Sequence, residues 1–147
     1  VYKRQGLQRN VRFIGYLNRG PELWDCFCAG DAFVFASSTE TQGLVLLEAM
    51  ALGVPVVSTA RMGTRDILDA GKGALVAEET VADFTEKVIR ILSDRRLRTR
   101  LGSEAREYAR EWSAERNTAR LLDFYAATLK RHAQHGTAAV VAAGSGG

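Results

Sequence analysis

Apolar and polar residues form distinct blocks along the centre of the chain, and the block lengths define the predicted elements. An apolar run at residues 32–36 is typical of a buried strand, and the small polar residues and Gly43 that follow predict a tight turn. Residues 44–52 are strong helix formers, and Gly53 stands where a helix ends. A second apolar run occupies residues 54–59. The pattern predicts a strand, a turn, a helix and a parallel strand, which is one βαβ unit.

The flanking sequence adds elements of the same α/β class. Alternation predicts a strand at residues 11–17, and a short apolar run predicts another at Ala74–Ala77. Apolar residues at helical spacing predict five helices. They are expected at residues 21–30, at residues 63–70 or 64–70, from residue 80 onward, at residues 94–112 and at residues 114–132. We expect a Rossmann-like parallel sheet of about four strands with flanking helices, ending in a helical C-terminal segment.

These elements divide the chain into four expected parts. Residues 1–10 are basic and polar and are interpreted as a truncated N-terminal lead-in. Residues 11–79 form the Rossmann-like core and residues 80–135 the C-terminal helices. Residues 136–147 are a low-complexity run that ends in Gly-Ser-Gly-Gly, so we expect a disordered tail there.

Composition places the 147-residue chain among single globular domains. Its net charge of +3 does not require a nucleic-acid partner, and no apolar run is long enough to span a membrane. Residues 86–120 carry ten Lys or Arg against six Asp or Glu, which is typical of solvated helix faces or, alternatively, of contact with an anionic membrane or acceptor. We expect a cytoplasmic protein, and the alternative is a protein that binds peripherally to a membrane.

Two cysteines, Cys26 and Cys28, are expected to be small buried hydrophobes in a reducing compartment. Their spacing in a helix disfavours a disulfide between them. A metal site that combines them with His132 and His135 matches no common zinc spacing, so no metal is expected.

The residue out of place is Glu48, which lies in the middle of an otherwise apolar helix. An unpartnered buried carboxylate is costly, so Glu48 should find a donor, shift its pKa or face a cleft. The free N–H groups of residues 42–45 and the helix dipole form an anion site, with Glu40 just before it and Glu48 within about two turns of it. Carboxylates accept hydrogen bonds from sugar hydroxyls, so a phosphate between two such groups indicates a nucleotide-sugar.

Glu40 and Glu48 are separated by seven residues, and Ala-Met-Ala-Leu-Gly-Val-Pro-Val-Val follows. This arrangement closely resembles the E-x7-E motif in the C-terminal domain of retaining glycosyltransferases of family 4, which have the GT-B fold. The resemblance extends over about residues 11–125. One departure lies at Met62-Gly63-Thr64-Arg65-Asp66, where the family often has Gly-Gly-x-Pro-Glu, so no donor contact is assigned to that segment.

The resemblance implies roles for the residues of the motif. Glu40 would hold the transferred sugar near its reacting carbon and is the catalytic candidate. Backbone amides at Gly43 and Leu44 would bind the distal phosphate, and Glu48 would accept hydrogen bonds from the ribose. Gln42, beside Gly43, is counted among the donor-binding residues. No cofactor and no obligatory metal are implied, and a UDP-sugar is the favoured donor.

The resemblance also implies contacts beyond the motif. Leu17 would pack on the nucleotide base, and Arg19 would lie beside it. An N-terminal domain and an earlier βα segment would complete the enzyme, and a glycan or lipid would be the acceptor. Without those parts, exposed apolar surface is expected to favour self-association.

Several alternatives remain open at this stage. The chain could be a non-catalytic nucleotide-sugar binding module or one chain of a split enzyme, or it could belong to a GT-B epimerase. Glu40 could merely favour the helix dipole, Glu48 could be a salt-bridged core carboxylate, and Gly43 only a turn glycine. Leu17 could be a core residue at a strand end. Arg61 and Arg65 are interpreted as surface residues, with a position near the phosphates as the alternative.

Overall fold

A computed structural model describes residues 5–68 and 71–144, with side chains up to residue 132. Within these residues three strands and six helices follow one another, with a 3-10 turn before the last helix. In chain order they are α1 Pro21–Cys28, β1 Phe33–Phe35, α2 Leu44–Ala51, β2 Val56–Thr59, α3 Gly63–Leu68, β3 Ala74–Ala77, α4 Val81–Ser93, α5 Arg95–Ala109, the 3-10 turn Arg110–Trp112 and α6 Ala114–Gly144.

The three strands form one parallel sheet in the order β1-β2-β3. Val57 is paired in register with Val34 on one side and with Leu75 on the other, so β2 is the central strand. All four residues of β2 are buried, as expected for a strand covered on both faces. The α/β class, the parallel sheet with flanking helices and the helical C-terminal segment are therefore confirmed.

Each face of the sheet is covered by helices. On one face Leu46 and Met50 of α2 pack with Val56 and with Tyr108 of α5. On the other face Val57 packs with Ile91 of α4 and with Leu97 and Leu101 of α5, because successive side chains of a strand point to opposite faces. Helix α5 contributes to both clusters and ties the two layers together.

The strand expected at residues 11–17 is wrong. This segment has no regular secondary structure, and Phe13, Ile14 and Tyr16 are 71%, 56% and 89% exposed. A strand needs a neighbouring strand to accept its backbone hydrogen bonds, and the described sheet contains only β1, β2 and β3. Gly15 also leaves the extended conformation, with φ of 77°. In the described part of the chain the sheet accordingly has three strands rather than about four.

Helix α1 lies at the surface of the described structure and has no buried residue. Cys26 and Cys28 are exposed free cysteines, so the expectation that they are buried is wrong. The apolar residues of α1 pack only partly against the core, through Phe27.

Helix α6 extends further than expected. It continues to Gly144, so the disorder expected over residues 136–147 is wrong as far as that residue, while residues 145–147 lie outside the described part of the chain. The physical reason is composition: four of the residues from 138 to 143 are alanine, the strongest helix former. The division into four parts is otherwise untested and stays a prediction.

Two further features concern the C-terminal helices and membrane insertion. The break between α5 and α6 falls at Ser113, which is extended with φ of −61° and ψ of 155°. None of the helices in the described part of the chain is long and apolar enough to cross a membrane.

Candidate functional site

The segment that links β1 to α2, residues 36–43, ends in a left-handed glycine. Gly43 is the N-cap of α2, is buried and has φ of 67°, a conformation that glycine adopts without strain. A Cβ atom at Gly43 would stand 2.8 Å from Ile67 Cδ1, so the turn also packs closely against α3. We call residues 37–43 the acidic turn, because Glu40 lies within it.

The carboxylate of Glu40 folds back onto the start of α2. Its Oε1 accepts hydrogen bonds from the backbone N–H groups of Gln42 and Gly43, each at 3.0 Å. These bonds, chiefly the one from Gly43, lower the pKa of Glu40 below the ordinary value for a glutamate. Glu40 is thus held ionised at the positive end of the helix.

The next two amides of α2 remain available. Within the described residues, the structure gives no hydrogen-bond acceptor for the N–H groups of Leu44 and Val45. The side chain of Leu44 is 51% exposed, so this end of the helix is open to solvent. An anion that takes these two amides can bind directly, whereas one that takes the amide of Gly43 has to displace Glu40.

Glu48 has found a donor. Its Oε1 lies 3.3 Å from Nη2 of Arg19, and the two side chains are 35% and 80% exposed. Glu48 is therefore a half-exposed carboxylate at the rim of the helix rather than a buried core group. Such an exposed pair contributes about 0–1 kcal/mol to stability. The contact links the irregular segment that carries Arg19 to α2.

The site residues expected from sequence are thus largely clustered. Glu40, Gln42, Gly43, Leu44 and Glu48 occupy the acidic turn and α2, and Arg19 joins them through its ion pair. Leu17 is half-buried and precedes Arg19 by two residues.

Sequence reasoning missed a second loop that supports the acidic turn. We call residues 60–64 the bracing loop. The N–H of Gly63 donates to the carbonyl oxygen of Glu40 at 3.1 Å. A Cβ atom at Gly63 would stand 2.0 Å from the carbonyl oxygen of Thr41, so the two backbones touch directly. The only sequence signal was a glycine just after a buried strand.

The bracing loop is itself fixed by hydrogen bonds. The fully buried hydroxyl of Thr64 donates to the carbonyl oxygen of Thr59 or of Arg61 and accepts from the N–H of Arg61 at 2.8 Å. The Arg61 guanidinium forms a two-point ion pair with Glu79, in which Nη2 lies 2.6 Å from Oε2. Arg61 is therefore a half-exposed side chain with a carboxylate partner.

Met62, in the same loop, has the left-handed φ of 45°. It is the only non-glycine residue with a positive φ in the described part of the chain. That conformation costs roughly 1–2 kcal/mol for a residue with a side chain. The side chain is 58% exposed, so core packing does not offset this cost.

A cavity of about 380 Å³ opens at the same edge of the sheet, on the face covered by α4. Its lining includes Ser38 of the acidic turn, Thr59 at the end of β2, and Glu78 and Thr80 after β3. Ligands of open parallel sheets bind outside the carboxyl ends of the strands, which is where both the cavity and the glutamates lie.

No group of three or more His, Cys, Asp or Glu among the described residues is arranged to hold a metal ion. Independence from metal stays a prediction.

Comparison with known proteins identifies the wider group. The model of the family described as Glycosyl transferases group 1 matches residues 2–108. The sulfoquinovosyl transferase SQD2 of Arabidopsis thaliana is 37% identical over 132 residues, which cover 87% of this chain and 24% of that protein. The chain thus spans about a quarter of the length of this curated relative.

Solved structures agree on the fold. Sucrose-phosphate synthase from Thermosynechococcus elongatus superposes with a TM-score of 0.75 at 24% identity, over 88% of this chain and 33% of that one. The C-terminal domain of a glycosyl transferase group 1 family protein, LpcC, from Francisella tularensis gives a TM-score of 0.64 at 27% identity, over 73% of this chain and 55% of that one. The architecture resembles the C-terminal domains of GT-B glycosyltransferases.

Proposed function

The chain belongs to the glycosyl transferases group 1 family, and we propose that it is the donor-binding portion of a retaining glycosyltransferase of family 4. The proposed reaction transfers a sugar from a nucleoside diphosphate sugar, with uridine as the favoured nucleoside, to a glycan or lipid acceptor, and the nucleoside diphosphate leaves. The observation that carries the proposal is the arrangement at the start of α2. Two carboxylates, Glu40 and Glu48, flank a helix end whose amides at Leu44 and Val45 are open.

Each part of this arrangement suits one part of a nucleotide-sugar. The open amides and the positive end of the helix dipole would bind the distal phosphate and stabilise the charge that develops on the departing nucleotide. Glu48 Oε1 faces Arg19, and its second oxygen would accept a hydrogen bond from a ribose hydroxyl. Glu40 would hold the transferred sugar, and Leu17 and Arg19 would lie beside the base.

The proposed mechanism does not require either glutamate to be a covalent nucleophile. Glu40 is ionised and held by two amides, which suits positioning of a hydroxyl. Front-face attack, with the acceptor close to the leaving phosphate, accounts for retention in this proposal. The acceptor would be held by an N-terminal domain, and the enzyme would act in the cytoplasm or at a membrane surface.

Titration of the chain with UDP, GDP and ADP tests the proposal. Calorimetry with the parent chain, Glu48→Ala and the control Glu86→Ala compares the same change of charge at two sites, since Glu86 is exposed on α4. We expect one nucleotide to bind and its affinity to fall about tenfold in Glu48→Ala only, the loss of about one hydrogen bond to a charged group. Equal nucleotide affinity in Glu48→Ala and in the parent would contradict the ribose role of Glu48.

A second function uses the same site without chemistry. Glu40 Oε1 is engaged by the amides of Gln42 and Gly43, which favours a non-catalytic nucleotide-sugar binding module, alone or as one chain of a split enzyme. Saturable binding of a nucleotide-sugar, with neither transfer nor hydrolysis after addition of an acceptor domain, would favour this function over the first.

A further inference from the structure

The strained residue Met62 lies within reach of the proposed sugar site. The N–H of Gly63 is 3.1 Å from the carbonyl oxygen of Glu40, and Met62 directly precedes Gly63. Standard bond lengths therefore place the Cα atom of Met62 within about 6 Å of that oxygen. The bracing loop thus carries an exposed apolar side chain next to the residue proposed to hold the transferred sugar.

The conformation of Met62 is imposed by its surroundings. On one side Gly63 has no room for a Cβ atom against Thr41, and Thr64 is fully buried with its hydroxyl bonded within the loop. On the other side Arg61 is tied to Glu79. The carbonyl oxygen of Met62 accepts from the N–H of Arg65 at 3.1 Å, which fixes the remaining peptide. Such over-determined strain is typical of ligand clamps and active sites.

Glycine would occupy this left-handed position without strain, yet the chain has an exposed methionine. Because burial does not offset the cost, the side chain is better explained by contact with a ligand than by contact with the core. A thioether side chain offers an adaptable apolar surface. It would favour the apolar face of a neutral sugar and disfavour a charged substituent, which loses hydration without gaining a partner.

We propose that Met62 is a specificity-determining residue of the donor site, which selects a nucleotide-linked neutral hexose over a hexose that carries a carboxylate. This inference rests on the proposed function, because it needs the nucleotide-sugar to lie across the acidic turn. It concerns the sugar alone and predicts no change in the affinity for the nucleotide.

Binding of UDP, UDP-glucose and UDP-glucuronic acid to the full 147-residue chain tests the inference. The proteins are the parent, Met62→Leu, Met62→Ala and Met62→Gly. Leucine retains both a large apolar side chain and the backbone strain at position 62. Alanine retains the backbone strain without the large side chain, and glycine removes both. We expect the parent and Met62→Leu to bind UDP-glucose about tenfold more tightly than UDP-glucuronic acid. Met62→Ala and Met62→Gly should bind the two conjugates with equal affinity. The tenfold figure is that for a substrate contact of about one methylene group.

Three other outcomes would overturn the role of Met62 in sugar selectivity. An unchanged preference in Met62→Ala and Met62→Gly would overturn the inference while leaving the proposed function intact, provided that UDP binds all four proteins equally. A preference lost only in Met62→Gly would also overturn it, because backbone freedom and not the side chain would then set selectivity. Failure of UDP and both conjugates to bind any of the proteins would overturn the proposed function, and this inference with it. Thermal unfolding checks the premise: Met62→Gly should unfold at a higher temperature than Met62→Ala.

Discussion

Gly63→Ala is the substitution that most severely tests the contact between the bracing loop and the acidic turn. Gly63 is the first residue of α3, where alanine is ordinarily the better helix former by about 0.5–1 kcal/mol. Without a close neighbour the substitution should therefore stabilise the chain. The structure predicts the opposite, because the new Cβ atom would stand 2.0 Å from the carbonyl oxygen and 2.2 Å from the carbonyl carbon of Thr41, and 2.5 Å from the nitrogen of Gln42.

The magnitude follows from that geometry. The closest approach is about 1.5 Å below a normal contact distance, and the opposing atoms are backbone that cannot rotate away. Overpacking of this kind costs about 1–3 kcal/mol. Separation of the backbones also breaks the hydrogen bond from Gly63 to Glu40, a further loss of about 1 kcal/mol. After the helix-propensity gain is subtracted, we expect a net loss of about 1–3.5 kcal/mol in the free energy of unfolding.

Thermal and urea unfolding followed by circular dichroism measure this loss. A decrease of about 1–3.5 kcal/mol corresponds to a fall in Tm of roughly 3–12 °C for a chain of this size. Gly30→Ala is the matched control, because its Cβ atom would meet Phe27 O at 3.4 Å and Ala32 O at 3.7 Å, both ordinary contacts. The control should change stability by no more than about 0.5 kcal/mol. A Gly63→Ala protein as stable as the parent, or more stable, would refute the close contact of the two loops.

Two further predictions concern the acidic turn and the helix that follows it. Because the pKa of Glu40 is lowered by the amides of Gly43 and Gln42, its ionised form stabilises the fold above the unfolded-state pKa, and this contribution is lost as pH falls through the folded-state pKa. Glu40→Gln should therefore be less stable than the parent at neutral pH and equally stable in strong acid, and a stability difference that grew on acidification would contradict the assignment. Leu46→Ala should cost about 2–5 kcal/mol, because Leu46 is fully buried in the core. Leu44→Ala on the exposed side of the same helix should cost far less, and similar urea midpoints for the two variants would show that α2 does not pack as described.

Local patterns were sufficient to predict the elements around the site. The strand, turn and helix that carry Glu40 and Glu48 depend on an apolar run, a glycine and a block of helix formers, all within about twenty neighbouring residues. Residues 11–17 have an equally clear alternation, but a strand also requires a neighbour, and the pattern could not show whether the chain provides one. Surface placement of α1, which exposes Cys26 and Cys28, likewise depends on tertiary packing that periodicity does not determine.

The functional cluster shows the same limit. Sequence indicates that the Glu48 carboxylate needs a hydrogen-bond donor, and the ion pair with Arg19 supplies one. The binding of Glu40 to the amides of Gln42 and Gly43 depends on the rotamer of one side chain, which sequence does not specify. The bracing loop approaches through a contact between backbones that are distant in sequence, so Gly63 was its only trace in the sequence, and the left-handed conformation of Met62 is seen only in the structure.

The most direct test of the proposed donor site is amide chemical-shift mapping of the chain during titration with UDP. We expect saturable shifts at Gly43, Leu44 and Glu48, where the helix start and the second glutamate would meet the phosphate and the ribose. We expect no comparable shifts at Gly30 or Gly102, which lie at the opposite edge of the sheet, by the cavity next to Pro55. Shifts confined to that opposite edge, or none at all in a folded chain at saturating nucleotide, would contradict the assignment of the acidic turn and α2 as the donor site.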